Sequence, residues 1–101
     1  MFKIIRTNKA VFGDEKFSNE YRAFRAKPTE TEEETKQRFE RLKAKCNKRF
    51  RCCDDDGIVY FWGVATTDND ERAFQPLEWV GEAYGCTYIE YKNANGEWEM
   101  L

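Results

Sequence analysis

The stretch TEEETKQRFERLKAKCNK, Thr31 to Lys48, decides how the rest of the chain is read. Thr29 or Thr31 offers a side-chain oxygen to the orphan amide protons of a helix start, and Glu32, Glu33 and Glu34 follow at the positive end of the helix dipole. Phe39, Leu42, Cys46 and Phe50 then recur at spacings of three, four and four as one apolar stripe. Lys43, Lys45, Lys48 and Arg49 complement the carboxy-terminal end. The pattern predicts one long amphipathic helix from Thr31 to Lys48.

Upstream, Phe2 to Thr7 is a short β-prone run, and Ala10 to Phe17 offers another after the turn signal Thr7-Asn8-Lys9, which together predict a hairpin. Ser18 to Pro28 carries Tyr21, Phe24 and three basic residues, enough for one or two helical turns before Pro28 stops them. Downstream, Asp54-Asp55-Asp56-Gly57 forms a turn and Ile58 to Thr66 a β-branched and aromatic strand. A loop over Asp68 to Glu71 precedes a short helix from Gln75 to Ala83, begun by Pro76. Cys86 to Tyr91 and Glu97 to Leu101 form a last hairpin about Asn93-Ala94-Asn95-Gly96. In that hairpin Tyr88, Glu90 and Lys92 alternate with Thr87, Ile89 and Tyr91, and Trp98 and Met100 are expected to face inward with Ile89. The predicted fold is α+β: a small antiparallel sheet packed on one long amphipathic helix, order ββαβ, short α, ββ, in a single domain over residues 1–101.

At 101 residues and 12.0 kDa there is room for one core only. A 41% hydrophobic chain with 3 Trp, 5 Tyr and 8 Phe is too aromatic for a disordered tail. The longest uncharged apolar stretch, Gly57 to Thr67, is about half of what a membrane-spanning helix needs, and no signal-peptide hydrophobic run opens the chain, so a soluble, cytoplasmic protein is expected. Histidine is absent, which removes the commonest neutral-pH general base and nitrogen metal ligand. With no Gly-rich phosphate loop or His-containing zinc-protease motif either, an enzyme is not expected.

The net charge of −2 conceals a separation. Residues 1–51 hold 15 Lys/Arg against 8 Asp/Glu, a net of +7, and residues 52–101 hold 2 against 11, a net of −9. Such halves either present separate faces to separate partners or attract each other on folding. Between Lys36 and Arg51 eight cations face one acid, Glu40, a density suited to a nucleic-acid backbone through Arg41, Lys45 and Lys48, or to a solvated helix face. Phe39 and Phe50 belong to the buried stripe, so this segment favours duplex or guide-RNA backbone contact over base stacking. The carboxylates of the second half have the number needed to imitate phosphates in a basic groove, or to serve ordinary turns and exposed strands, and Trp79 is the aromatic best placed to anchor a partner. Asp68-x-Asp70 is too short for a calcium loop.

Cys46, Cys52, Cys53 and Cys86 admit three readings. Four thiolates suit a closed structural zinc site that would offset a small core. Adjacent strand residues point to opposite faces, however, so Cys52 and Cys53 need a bulge to ligate together, and otherwise one is a core thiol with a carboxylate of Asp54 to Asp56 or a water in its place. Disulfides are disfavoured in the absence of a secretion signal.

Ala73-Phe74-Gln75-Pro76-Leu77, Gly85-Cys86-Thr87-Tyr88-Ile89-Glu90-Tyr91 and Asn95-Gly96-Glu97-Trp98 resemble segments of small type II-A anti-CRISPR proteins. These are inhibitors of the single-chain Cas nuclease carried by phages and mobile elements. The resemblance covers the last thirty residues and the overall size, and it carries over no functional residue. It implies a protein without catalytic residues and with a zinc-stabilised α/β fold. Such a protein would bind the type II Cas nuclease in the host bacterial cell and block target-DNA loading. The acidic second half, with Asp68, Asp70, Glu71, Glu78, Trp79 and Glu82, would be its partner-binding face. The alternative is a nucleic-acid-binding accessory protein of a plasmid or phage that uses the basic helix.

Overall fold

The structure, a computed structural model, describes residues 1–15, 17 and 19–101. Its elements run β1 (Phe2–Thr7), α1 (Lys9–Phe12), α2 (Glu32–Ala44), β2 (Lys48–Cys53), β3 (Val59–Ala65), a 3-10 turn (Glu71–Phe74), α3 (Gln75–Tyr84), β4 (Tyr88–Lys92) and β5 (Trp98–Met100). The five strands form one antiparallel sheet in the order β1-β3-β2-β4-β5. The α+β class and antiparallel sheet agree with the sequence; the order ββαβ does not. Where a second strand was expected over Ala10 to Phe17, Asn8 caps α1 by accepting from the Ala10 amide. Lys16 and Ser18, which fall in that expected strand and in the expected turns of Ser18 to Pro28, lie outside the described residues.

The larger correction concerns the helix. α2 starts as expected, with a capping box in which Thr31 Oγ1 accepts from the Glu34 amide and donates to its carboxylate. It ends at Ala44, and none of its residues is buried. Within its 13 residues only Phe39, Leu42 and Ala44 are apolar, too few to make a core-facing stripe. From Lys48 onward the period changes from helical to alternating, and Phe50 and Cys52 point inward as members of β2, with Arg49 and Arg51 outward. Phe50 thus belongs to the strand and not to the helical stripe of Phe39, Leu42 and Cys46, and the helix stops at Ala44 instead of Lys48.

α3 covers the sheet instead, burying Pro76 and Val80 against it. The core between α3 and the sheet contains Phe2, Ile4, Phe50, Cys52, Phe61, Ile89 and Tyr91, and it is largely aromatic. Phe50 packs edge-on against Phe2 at 6.2 Å and lies 6.0 Å from Tyr91. At the other end Phe12, Phe61 and Tyr84 close a second ring cluster with centroids 5.0 to 5.6 Å apart. Tyr91 donates its buried hydroxyl to the Ala73 carbonyl at 2.8 Å, tying the sheet to the turn that launches α3. Gly63 sits where this core is tightest: a Cβ there would overlap the Lys3 carbonyl and the Phe50 ring.

α2 is held to this body by the strap of residues 19–30. Arg22 exchanges both backbone hydrogen bonds with Phe2 at 3.1 and 2.7 Å and lays its guanidinium over Trp79. Phe39 of α2 meets Tyr21 and Phe24 edge-on, at 5.7 and 5.1 Å. Arg38 donates to both carboxylate oxygens of Glu30 and to the Arg25 carbonyl, which holds the Glu30 carboxyl down at about 2. The arm explains a radius of gyration of 14.4 Å, above the roughly 13 Å of a compact chain this long.

Two substitutions separate core from arm. Gly63→Ala is expected to destabilise by about 3 kcal/mol in urea unfolding, and Phe39→Ala by only about 1 kcal/mol; equal losses would place α2 in the core.

Candidate nucleic-acid interface

Because α3 covers one face of the sheet, the strand residues of opposite parity form an uncovered face. The register brings Arg6 of β1 and Arg51 of β2 to either side of Trp62 on β3, and pairs Lys92 of β4 with Trp98 of β5. Lys3, Arg6, Arg49, Arg51 and Lys92 stand there against one acid, Glu90. The expectation that Trp98 and Met100 face inward is overturned: their cross-strand partners are Lys92 and Glu90, and Met100 is 66% exposed.

Cations meet indoles along this face. The Arg6 guanidinium lies 3.8 Å from the centre of the Trp62 ring, Arg51 reaches from β2 to lie 4.5 Å from Trp98, and the ammonium of Lys92, on the strand beside Trp98, lies 5.8 Å from the same ring. Arg51 also donates to the Glu90 carboxylate at 2.8 Å, so it is fixed twice. Between the two tryptophans runs a groove of about 590 Å³ lined by Arg6, Arg49, Trp62, Gly63, Lys92 and Trp98 among others. A second concavity, about 560 Å³ beside β1 and α1, mixes Arg6 and Lys9 with Asp14 and Glu15, so its charges offset.

The basic end of α2 stands beside this face. Tyr21 sits between Lys3 and Lys43, 5.0 and 5.9 Å from their ammonium groups, and the Cys46 thiol donates to the carbonyl of Val64 on β3. Arg41, Lys45 and Lys48, the cations singled out in the sequence, are exposed.

The carboxylates of the 3-10 turn and α3 lie on the other side of the sheet. Glu71, Glu78 and Glu82 are exposed on the 3-10 turn and α3 and form no ion pair among the described residues. Asp70 is engaged, capping the 3-10 turn through the Arg72 amide and pairing with the Arg72 guanidinium at 2.7 Å; that pairing lowers its pKa. Asp68 is half-buried. Trp79, expected as an exposed anchor, is half-buried against Phe2 and Tyr84 under Arg22. The separation written along the sequence thus becomes a separation between two faces.

The four thiols are free. Cys52 and Cys86 belong to the core beneath α3, Cys53 points from the opposite face toward Glu90 with its sulfur 3.7 Å from the carboxylate, and Cys46 lies apart at Val64. Among the described residues, no three His, Cys, Asp or Glu side chains are grouped to hold a metal ion. Burial raises every one of these thiols, Cys53 to about 11 and Cys86 to about 12 from an ordinary 9.0, and Cys52 further still.

No protein-family model matches the chain, and neither a curated protein nor a solved structure matches it. Among the described residues no helix is long and apolar enough to cross a membrane.

The signal that sequence reading lacked was the register. Trp62 is 56 residues from Arg6 and Trp98 is 47 from Arg51, and both look like core aromatics until β2 is placed between β3 and β4.

Two measurements check the thiols. Protein purified without chelator is expected at its metal-free mass by native mass spectrometry, and one zinc per chain, lost with EDTA, would show that the sulfurs regroup. A thiol whose folded pKa is raised stabilises fully below its unfolded pKa and loses that contribution as pH climbs toward the folded value. Urea midpoints should therefore hold up to pH 9 and fall between there and about 12; a midpoint that rises over that range would contradict the burial.

Proposed function

We propose that the protein binds nucleic acid on the uncovered face of its sheet. The observation that carries this reading is the row of Arg6, Trp62, Arg51, Lys92 and Trp98 across all five strands, with a single acid, already neutralised by Arg51, among them. Clustered cations supply the sequence-independent attraction to phosphates, and the half-buried indoles beside them offer a surface for stacking. Arg41 and Lys45 extend the cationic surface along the arm, whereas Lys48, paired with Ala65 and of the same parity as Phe50, lies at the edge of the covered face, so the interface centres on the sheet. The acidic side of α3 faces away and disfavours nonproductive approach of a polyanion.

A second reading uses that acidic side. Exposed Glu71, Glu78 and Glu82 would occupy a basic groove of the type II Cas nuclease and block target-DNA loading, as the resemblance of the carboxy-terminal segments implies. That reading also takes a structural zinc on Cys46, Cys52, Cys53 and Cys86 as support for the fold, which requires thiols that stand apart to be drawn together.

One gel decides between them. Labelled DNA and RNA are run with the protein alone, with guide-loaded nuclease alone and with both. The first reading expects a shift by the protein alone, weakening as salt rises, and Arg49→Glu should flatten the salt dependence by about 0.7 in log–log slope per lost single-strand phosphate contact. No shift at low salt, together with loss of the nuclease shift, would reject the first reading and support the second.

A further inference from the structure

We infer that the groove between Trp62 and Trp98 is a subsite for an unpaired nucleotide, its base stacked on an indole and its phosphate held by Arg49 and Lys92. This rests on the reading of the uncovered face as a nucleic-acid surface and narrows its ligand to single strands.

Trp62 and Trp98 line the same groove from β3 and β5, with β2 and β4 between them. At the usual spacing of about 4.8 Å per strand, their backbones are some three spacings apart, roughly 14 Å. The Arg51 and Glu90 side chains of β2 and β4 stand within that span, and the groove of about 590 Å³ that remains falls within the range of small-ligand sites. Stacking on an indole requires a base face that is not already stacked in a duplex, so the two rings are of use to an unpaired strand and of little use to a paired one.

The surrounding charges are arranged for such a ligand. Arg51, held by Glu90 at 2.8 Å, lies over Trp98, and Arg6 lies over Trp62, so both indoles are oriented before a ligand arrives. Arg49 makes no ion pair among the described residues, and Lys92 meets only the Trp98 ring, which leaves both cations available to a phosphate. Carboxylate-bearing ligands would find the same cations but no use for two aromatic platforms; nucleotides use both.

The test is fluorescence anisotropy with dT12, rU12 and a 12-base-pair duplex, at one low salt concentration. Single strands are expected to bind at least about tenfold more tightly than the duplex. Trp98→Ala is expected to weaken single-strand binding about tenfold and leave duplex binding within about twofold, with Trp98→Phe restoring most of the loss. Trp98 is the decisive position because β5 is an edge strand, and circular dichroism of each variant confirms the fold; Trp62→Ala is the parallel test in mid-sheet. Equal binding of single strands and duplex, unmoved by Trp98→Ala yet abolished by Arg49→Glu, would overturn the subsite and leave the face reading standing. Binding of none of the three probes would overturn both.

Discussion

The Phe50 ring lying in the space that Gly63 leaves open is the contact on which this architecture depends. With no side chain at Gly63, the ring crosses the centre of the sheet and reaches Phe2 on one side and Tyr91 on the other. Those three rings, with Val80 and Pro76 of α3 above them, make a core thick enough on one side of the sheet to hold five strands together. A chain of this size has apolar residues for one such layer. The other side stays uncovered, and everything proposed about function follows from that asymmetry.

Once one face is committed to the core, strand alternation determines what the other presents. β2 places Phe50 and Cys52 inward and therefore Arg49 and Arg51 outward; β3 places Phe61 and Ala65 inward and Trp62 outward. The cationic outer row is thus the same sequence feature as the apolar inner row, read at the alternate positions of each strand. The tryptophans keep the arginines from being simply solvated, since each guanidinium spends its planar face on an indole. α3 meanwhile collects its carboxylates on its solvent side, because Val80 and Pro76 occupy the other.

Local chemistry was legible in the sequence wherever it was self-contained. The Thr31 capping box, the Asp54 to Gly57 turn, Pro76 at the start of α3 and the Asn93 to Gly96 turn all depend on neighbours within a few residues, and each stands where it was expected. The extent of α2 was not legible, because Phe39, Leu42, Cys46 and Phe50 satisfy a helical period although the chain changes to a strand between Cys46 and Phe50. A long-range pairing, β2 inserted between β3 and β4, settled that competition, and no local propensity encodes it. Pairing with β4 also sets Trp98 on the uncovered face, while Trp79 of α3 packs against Phe2 and Tyr84.

The three tryptophans permit a direct measurement, since each indole N–H gives its own signal in a ¹H–¹⁵N correlation spectrum, two of them on the uncovered face and one on α3. On titration with an unlabelled single strand, the Trp62 and Trp98 indole signals are predicted to move together with the amides of Arg49 and Lys92, while the Trp79 indole and the α3 amides stay in place. Movement confined to Trp79, Glu78 and Glu82, with Trp62 and Trp98 unmoved, would contradict the uncovered face as the binding surface.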